Sequence, residues 1–363
     1  MLRRFVALRR AMPRFTLLIQ RRAKPGMACR QAGDSPSGGS LLFSRLAIYA
    51  AAAVLLPPAL AAEPTCTVVD LMPQFWKVVG ASRDQSPEQQ IETFRATLVD
   101  RHPGLFGKTG LGFDSTEQLE AAILKSLADT RRDEASMRAV VDLLKTGLAS
   151  HLQTFQAVFP DFRCDFVVYI TPSLNQLDGA GRVVDDQPAL IFGADVIAKE
   201  HSAADLGIFV DHELFHRYHS QVAGFSDDKG QQEVIWRALW AEGLATYVSM
   251  KLHPPASMQD ALFVPKDLVK RSKPLLPRLI ADLEPKLDQA DPGFFSKFFL
   301  YRGRDATPPS RVGYYIGALA AEYMAERHSL SELAHMQAGA VRVELSQALA
   351  GIAHATAQPT RRE

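Results

Sequence analysis

The sequence is poor in cysteine and in internal repeats, and each shortage excludes a class of protein. Three cysteines in 363 residues are too few for a disulfide-dense scaffold, and no repeat occurs at a solenoid period. A content of 47% hydrophobic and 22% charged residues excludes a collagen, a coiled coil and a largely disordered chain. The chain is therefore an ordinary globular protein, long enough to bury a sizeable core without a metal or disulfide to hold it together.

Net charge is also small, but it is unevenly distributed along the chain. The formal charge is +1, from 41 Lys and Arg against 40 Asp and Glu. Residues 1–61 hold ten of the basic residues and one acid, so residues 62–363 have 31 basic and 39 acidic residues and a charge of −8. A body of that sign, with no basic stripe, argues against a nucleic-acid partner, and the basic end is typical of a targeting sequence.

An apolar run at residues 46–60 is typical of a secretory signal rather than of a membrane helix. Its 15 residues are interrupted by two prolines, whereas a membrane helix needs about 20 apolar residues. The alanines at 59 and 61 suit a signal peptidase. We therefore predict a partly disordered leader over residues 1–61 and an exported protein, periplasmic or secreted, that begins near Ala62 and has no stable membrane span. A membrane anchor is the alternative.

Removal of this leader would take Cys29 with it and leave Cys66 and Cys164. An even number of cysteines in an exported protein suggests one disulfide, which would tie the mature N-terminus to the segment before a predicted strand. Two unpaired thiols are the alternative.

Helical periodicity dominates residues 62–160 and predicts a helical N-terminal lobe. Ser115 is a candidate helix N-cap. The predicted helices lie at 71–80, 87–100, 115–127 and 133–158.

The region 161–355 has a different texture, with β-branched and aromatic runs first and helical periodicity later. Residues 165–171 and 188–193 are predicted strands, and 179–186 is rich in turn residues. Almost everything after Ser202 has helical periodicity. The sequence therefore predicts an α+β protein that is mainly helical, with a small mixed sheet.

Residues 212–216 read HELFH and place two histidines four residues apart on a predicted helix. His212 and His216 then lie one turn apart on the same face, about 6 Å between Cβ atoms, where they can bind one metal ion. Glu213 is rotated away from that face and suits a general base that holds a metal-bound water. A histidine pair in a metal-free core is the alternative, but buried polar groups are costly without partners.

A third ligand decides the class of the site. His219 lies on the same face, but seven residues rise about 10.5 Å along a helix, so it cannot reach the same ion and a rim or surface position suits it better. Glu242 lies on a predicted helix, 231–251, that a short loop returns antiparallel to the first, and Gly243 permits close approach. Two imidazoles and one carboxylate leave a fourth position open for water, as in catalytic zinc sites.

These motifs together resemble the gluzincin clan of zinc peptidases, whose thermolysin-like members take the third ligand from the following helix. HELFH at 212–216 is followed by WAEGLA at 240–245. The chain is most similar to predicted zinc-dependent proteases of bacteria with HExxH, EGLA and GYxxG motifs, and RVGYYIG at 311–317 matches the last of these. The resemblance covers residues 166–324. It implies a zincin-like, thermolysin-like core and a mixed sheet whose edge strand, here 190–194, lies over the metal.

The chain departs from the gluzincin pattern in three ways. The 25 residues between His216 and Glu242 exceed the usual interval, and the GxMEN segment of the membrane-alanyl aminopeptidases is missing. Thr246 stands where thermolysin has the aspartate that orients a ligand histidine. The partner that orients the ligand histidines is therefore left unassigned.

The predicted function is a zinc-dependent hydrolase that cleaves a peptide or protein substrate, with one Zn²⁺ on His212, His216 and Glu242. Zinc would bring the pKa of its bound water toward about 7.

Glu213 would take the proton of that water and pass it to the leaving amine. The resemblance nominates Tyr314, with Tyr315 second, as a donor to the oxyanion; core packing is the alternative for both. A non-catalytic zinc-binding envelope protein is the alternative function, although storage has no use for a general base. The sequence favours no particular oligomeric state.

Overall fold

The computed structural model describes residues 66–225 and 230–357 of the chain. The predicted leader, residues 1–61, lies outside the described residues. The helices are α1 Met72–Ala81, α2 Pro87–Thr97, α3 Thr116–Val158, α4 Ala194–Glu200, α5 Leu206–Ala223, α6 Ile235–Leu252, α7 Met258–Ala261, α8 Leu268–Ser272, α9 Leu276–Leu283, α10 Pro292–Phe299, α11 Val312–Met324, α12 Leu330–His335 and α13 Ala338–Ala357. The strands are β1 Thr67–Asp70, β2 Val167–Thr171, β3 Gly179–Val184 and β4 Gln187–Gly193.

The four strands form one small mixed sheet in the order β1-β2-β4-β3. β1, β2 and β4 run parallel to one another, and β3 pairs antiparallel with β4. Helices account for most of the remaining described residues. The structure therefore confirms the predicted class, an α+β protein that is mainly helical with a small mixed sheet.

The segment 179–186, predicted as turn, is a strand followed by a tight turn. β3 pairs with β4 along its whole length, and Asp185 and Asp186, with φ angles of 49° and 61°, connect the two strands. Two consecutive residues of positive φ are typical of the two-residue hairpin turn that matches the twist of its strands. The glycines at 179 and 181 have a low propensity for strands, so the sequence did not indicate one here. Pairing with the buried β4 stabilises this strand.

The resemblance implied that residues 190–194 form an edge strand, and this prediction is wrong. Residues 190–193 belong to β4, which lies between β2 and β3, and Ala194 begins α4. Leu190 and Ile191 are fully buried, as expected for an inner strand covered on both faces. The edge strand beside β4 is β3, and residues of β3 line a cavity that the predicted metal ligands also line.

The region predicted as a helical N-terminal lobe, residues 62–160, contributes β1 to the sheet. β1 runs parallel to β2, with Thr67 beside Val167. Cys66, just before β1, is bonded to Cys164, with Cα atoms 5.1 Å apart, which confirms the predicted disulfide. The described residues, 66–225 and 230–357, belong to one compact unit, so the predicted helical lobe and the region after it share a sheet within the same body.

Residues 116–158 form a single helix, not the two predicted ones. Ser115 caps it as predicted, since its hydroxyl accepts a hydrogen bond from the amide of Gln118. The polar stretch between the two predicted helices is held in helical form by charge pairs, in which Lys125 and Arg132 both contact Asp129. None of the helices formed by residues 66–225 and 230–357, this long one included, has the length and apolar character needed to cross a membrane.

Helices α5 and α6 pack side by side in opposite directions. Three contacts show the direction: Asp211 with His253, His216 with Glu242, and His219 with Trp240. As the residue number rises along α5, the number of the contacted residue falls from the end of α6 toward its start. This confirms the antiparallel return predicted from the sequence. α5 ends at Gly224, which has the left-handed conformation (φ 67°) that commonly closes a helix.

Gly243 permits a close helix approach, but not the one expected. A Cβ on Gly317 of α11 would lie 2.8 Å from the Cα of Gly243, so the backbones of α6 and α11 touch there. The sequence predicted that Gly243 allows α5 and α6 to approach closely, but the contact that requires this glycine is between α6 and α11. The two glycines instead bring the start of α11 beside Glu242.

Candidate metal centre

The three predicted ligands converge on one point. The Nε2 atoms of His212 and His216 are 3.1 Å apart, and Oε2 of Glu242 lies 3.5 Å from the first and 3.3 Å from the second. A tetrahedral zinc site with bonds of about 2.0–2.1 Å places its donor atoms about 3.3–3.4 Å apart. The three atoms therefore match three corners of such a tetrahedron, and the fourth is left for a ligand from the cavity that all three side chains line.

The electrostatic state of these groups suits a cation. Burial lowers the pKa of His212 to about 4, so its imidazole is neutral near pH 7 and has a lone pair to donate. Burial acts to raise the pKa of Glu242, but the imidazoles of His216 and His212 outweigh it and hold that pKa well below the usual range. A neutral imidazole and an ionised carboxylate are the forms in which these two kinds of side chain bind a metal ion.

Glu213 lies beside the three predicted ligands but is not one of the side chains that converge. It is buried and lines the same cavity, and it does not belong to the group of side chains whose donor atoms converge. The edge strand makes room for it, because a Cβ on Gly179 would lie 2.7 Å from its Cδ atom. The carboxylate is thus confined between α5 and β3, on the wall of the cavity.

Of the two candidate tyrosines, Tyr314 lines the cavity and Tyr315 does not. The Tyr314 ring is nearly parallel to that of His212, with centroids 6.3 Å apart and an interplanar angle of 18°. Burial and nearby carboxylates raise the pKa of Tyr314 well above its ordinary value, so its hydroxyl remains a hydrogen-bond donor. Tyr315 is buried in the core on another face of α11.

Arg311 begins α11 in a left-handed conformation, with φ 60° and ψ 23°. Its guanidinium lies over the Tyr314 ring, 4.2 Å from the centroid, and it lines the cavity. A non-glycine residue at positive φ carries strain of roughly 1–3 kcal/mol and often marks a functional site. Arg311 therefore brings a positive charge to the wall of the cavity that the candidate metal ligands also line.

The interpretation of His219 as a rim or surface histidine is wrong. Its exposed fraction is 0%, and its ring stacks on Phe225 with centroids 4.5 Å apart. Neither ring nitrogen has a hydrogen-bond partner among the described residues. The periodicity of α5 predicted one buried stripe and an exposed position for His219. The middle of α5 is instead buried on every face. His219 lies outside the convergent group, as predicted.

Thr246 does not take the place of the aspartate that orients a histidine in thermolysin. The hydroxyl of Thr246 donates to the carbonyl of Glu242 in its own helix, at 2.8 Å. In residues 66–225 and 230–357, no group accepts a hydrogen bond from Nδ1 of the buried His212. Packing, including the parallel Tyr314 ring, therefore orients His212 in place of a carboxylate.

A second acid and base pair lies on the same cavity, and no sequence motif signals it. Nε2 of His201 lies 3.1 Å from Oδ2 of Asp178, and the imidazole packs against Phe209 and Phe263. Both members of the pair line the cavity, which has a volume of about 600 Å³. Asp178 directly precedes β3, so a correct prediction of that strand would have placed it near Glu213.

Comparisons of this chain with protein-family models, with curated proteins and with solved structures found no match. The function of the chain is therefore inferred from the geometry of the site. That geometry provides three convergent metal donors, a buried carboxylate beside them, and a protonated tyrosine and an arginine on the cavity wall.

Proposed function

We propose that the protein is a zinc-dependent hydrolase that cleaves peptide bonds at a gluzincin-type site in a zincin-like core. The observation that carries the proposal is the separation of 3.1–3.5 Å among the Nε2 atoms of His212 and His216 and Oε2 of Glu242. Two imidazoles and one carboxylate are the ligands of catalytic zinc sites, which keep one position open. The placement of Glu213 beside these ligands but outside their set adds support.

When bound, zinc would supply a Lewis acid that polarises the scissile carbonyl and acidifies a water. Glu213 accepts the proton of the attacking water and transfers it to the nitrogen of the leaving amine as the C–N bond breaks. Tyr314 donates its hydroxyl proton in a hydrogen bond to the developing oxyanion. The raised pKa of Tyr314 keeps that proton in place at neutral pH.

The substrate is proposed to bind as an extended chain along β3. β3 is the last strand of the sheet, and Gly179, Ala180 and Arg182 line the cavity. An extended peptide can add to such an edge through main-chain hydrogen bonds. Arg311 would then contact a carbonyl or carboxylate of the peptide.

We also propose that the protein acts after export to the periplasm or the medium. The disulfide between Cys66 and Cys164 supports this, because such bonds persist in oxidising compartments and are rare in the cytosol.

The test uses the purified protein and a broad peptide library. Native protein should contain one equivalent of zinc at this site, and cleavage of the library should stop on chelation and return when Zn²⁺ is added. Replacing Glu242 with Gln should lower zinc affinity and activity together. A protein that binds zinc but cleaves no peptide would support the alternative, a non-catalytic zinc-binding envelope protein. A protein without zinc affinity would contradict both.

A further inference from the structure

A second group of metal-ligating side chains lies on the other side of α5. His151 of α3, Asp211 of α5 and His253, at the end of α6, each offer one donor atom within 4.8 Å of the other two. Nδ1 of His151 is 3.1 Å from Oδ1 of Asp211, and Nε2 of His253 is 2.6 Å from Oδ2. The three residues are far apart in sequence and do not form a motif, so only the packing of three helices brings them together.

Asp211 is adjacent to His212 but belongs to a different face of the helix. Successive residues of an α-helix are rotated by about 100°, so Asp211 points toward α3 while His212 faces Glu242 and the cavity. The two groups are therefore separate sites on one helix.

The Asp211 carboxylate lacks a permanent positive partner. It is 1% exposed, and within residues 66–225 and 230–357 its ion-pair partners are the two imidazoles, with no lysine or arginine among them. Burial of a carboxylate is costly unless a compensating charge is near. A divalent cation at this point would supply both a coordination bond and a permanent positive charge.

Gly207, one turn before Asp211, provides the space in which both imidazoles sit. A Cβ at this position would lie 2.9 Å from Cε1 of His151 and 3.0 Å from Cε1 of His253. Glycine is less favourable than alanine in a helix. Its presence in the first turn of α5 is explained by the two rings, which need that room to approach the same carboxylate.

The donor set and its exposure indicate what kind of ion can bind. The side chains of His151 and His253 are 22% and 26% exposed, so an ion can enter from solvent and water can complete its coordination. Two imidazoles and a carboxylate suit borderline transition metals such as Zn²⁺ and Co²⁺, whereas Ca²⁺ and Mg²⁺ favour oxygen ligands alone.

We propose that His151, Asp211 and His253 form a second site for a divalent transition-metal ion, which ties α3, α5 and the end of α6 together. On binding, each imidazole moves its proton from the nitrogen that faces Asp211 to its other ring nitrogen. The ring stays neutral, and the freed lone pair binds the ion. The Asp211 carboxylate then balances part of the ion's charge.

The experiment counts Zn²⁺ bound by the purified full chain after removal of metal with a chelator. The wild type should bind two ions per chain. A double variant of the first site, His216→Ala with Glu242→Ala, should still bind one ion, and His151→Gln with His253→Gln should also bind one. Gly207→Ala should weaken the second ion at least tenfold and leave the first unchanged. His328→Gln, which removes a histidine paired to Glu344 elsewhere, should still bind two.

The variant of the first site decides the question, because it leaves the His151, Asp211 and His253 cluster intact. If this protein has the circular dichroism spectrum of the wild type and binds no Zn²⁺, the second site does not exist. Retention of an ion after His151 and His253 are also replaced would contradict the proposal equally. Co²⁺ provides an independent readout: the first-site variant should develop visible absorption that disappears when His253 is replaced as well.

Discussion

Gly243 of α6 and Gly317 of α11 lie against each other, so that a Cβ on Gly317 would come within 2.8 Å of the Cα of Gly243. This contact places Glu242, the residue before Gly243, beside the start of the helix that carries Tyr314. The candidate metal ligand and the candidate oxyanion donor are thus positioned by one pair of glycines.

We expect Gly243→Ala to destabilise the fold by about 3 kcal/mol, at the upper end for overpacking, because the obstructing neighbour is backbone and cannot rotate away. Urea denaturation measures this loss, and zinc affinity should fall with it. Gly80→Ala is the matched control, since Gly80 is an exposed helical glycine with nothing within 4 Å of its added Cβ. That variant should be unchanged or more stable by about 0.5–1 kcal/mol. Equal stability of the two variants would contradict the close approach.

Tyr314 and Tyr315 should respond differently to removal of their hydroxyl groups. Tyr314→Phe should lower kcat by about 10²–10³, the usual loss for one oxyanion donor, while KM and zinc content stay near those of the wild type. Tyr315→Phe is its control and should leave kcat within a factor of about two, because Tyr315 lies in the core and not on the cavity. Steady-state kinetics on a cleaved peptide separates the two. An undiminished kcat for Tyr314→Phe would remove this residue from the mechanism.

Reduction of the bond between Cys66 and Cys164 should destabilise the fold by about 2–4 kcal/mol, because it releases a loop between residues 98 apart in sequence. Urea denaturation with and without a reductant measures the difference. The double variant Cys66→Ser with Cys164→Ser should match the reduced wild type and be insensitive to the reductant. Two titratable thiols in the native protein would show that the bond is not formed.

Replacing His219 with Phe should reduce the sensitivity of the fold to acid. Burial lowers the pKa of His219 well below its ordinary value. In the unfolded chain the imidazole has a pKa of about 6.5. Above that pH it is neutral in both states, so it does not lower the free energy of unfolding. Below it, up to about 1.4 kcal/mol of stability is lost per pH unit as the unfolded chain takes up the proton. The variant lacks this loss.

Unfolding free energies at pH 7.5 and pH 5.5 test this prediction. The wild type should lose more stability between these two values than His219→Phe, and both proteins should bind the same amount of zinc. Equal losses would indicate that His219 is protonated in the folded state.

The sequence predicted the local features of the site better than its surroundings. The spacing of His212 and His216 depends only on helix geometry. The antiparallel return of the helix that carries Glu242 depends only on a short connection. Both features could therefore be predicted from the sequence. The edge strand could not, because β3 contains two glycines and is held by β4. The identity of the helix that contacts Gly243 also depends on long-range packing, which sequence periodicity does not encode.

Burial on all sides was a further source of error. An apolar stripe on α5 predicted one buried face and left His219 at the rim, whereas the middle of the helix is covered by α6, α3 and β3. The same burial brings His151 and His253 to Asp211, a cluster without any sequence motif. Such clusters form through contacts between residues that are distant in sequence. The periodicity of one helix does not indicate these contacts.

The most direct test of the proposed catalytic metal site compares zinc content and peptide cleavage in the wild type, Glu213→Gln and His212→Ala. Glu213 lies outside the ligand set, so Glu213→Gln should keep the zinc of the wild type at this site and lose peptide cleavage by at least about 10²–10⁴, the usual contribution of a general base. His212→Ala should lose that zinc and the activity together. Full activity in Glu213→Gln, or loss of its zinc, would contradict the assignment of Glu213 as a general base beside a metal bound by His212, His216 and Glu242.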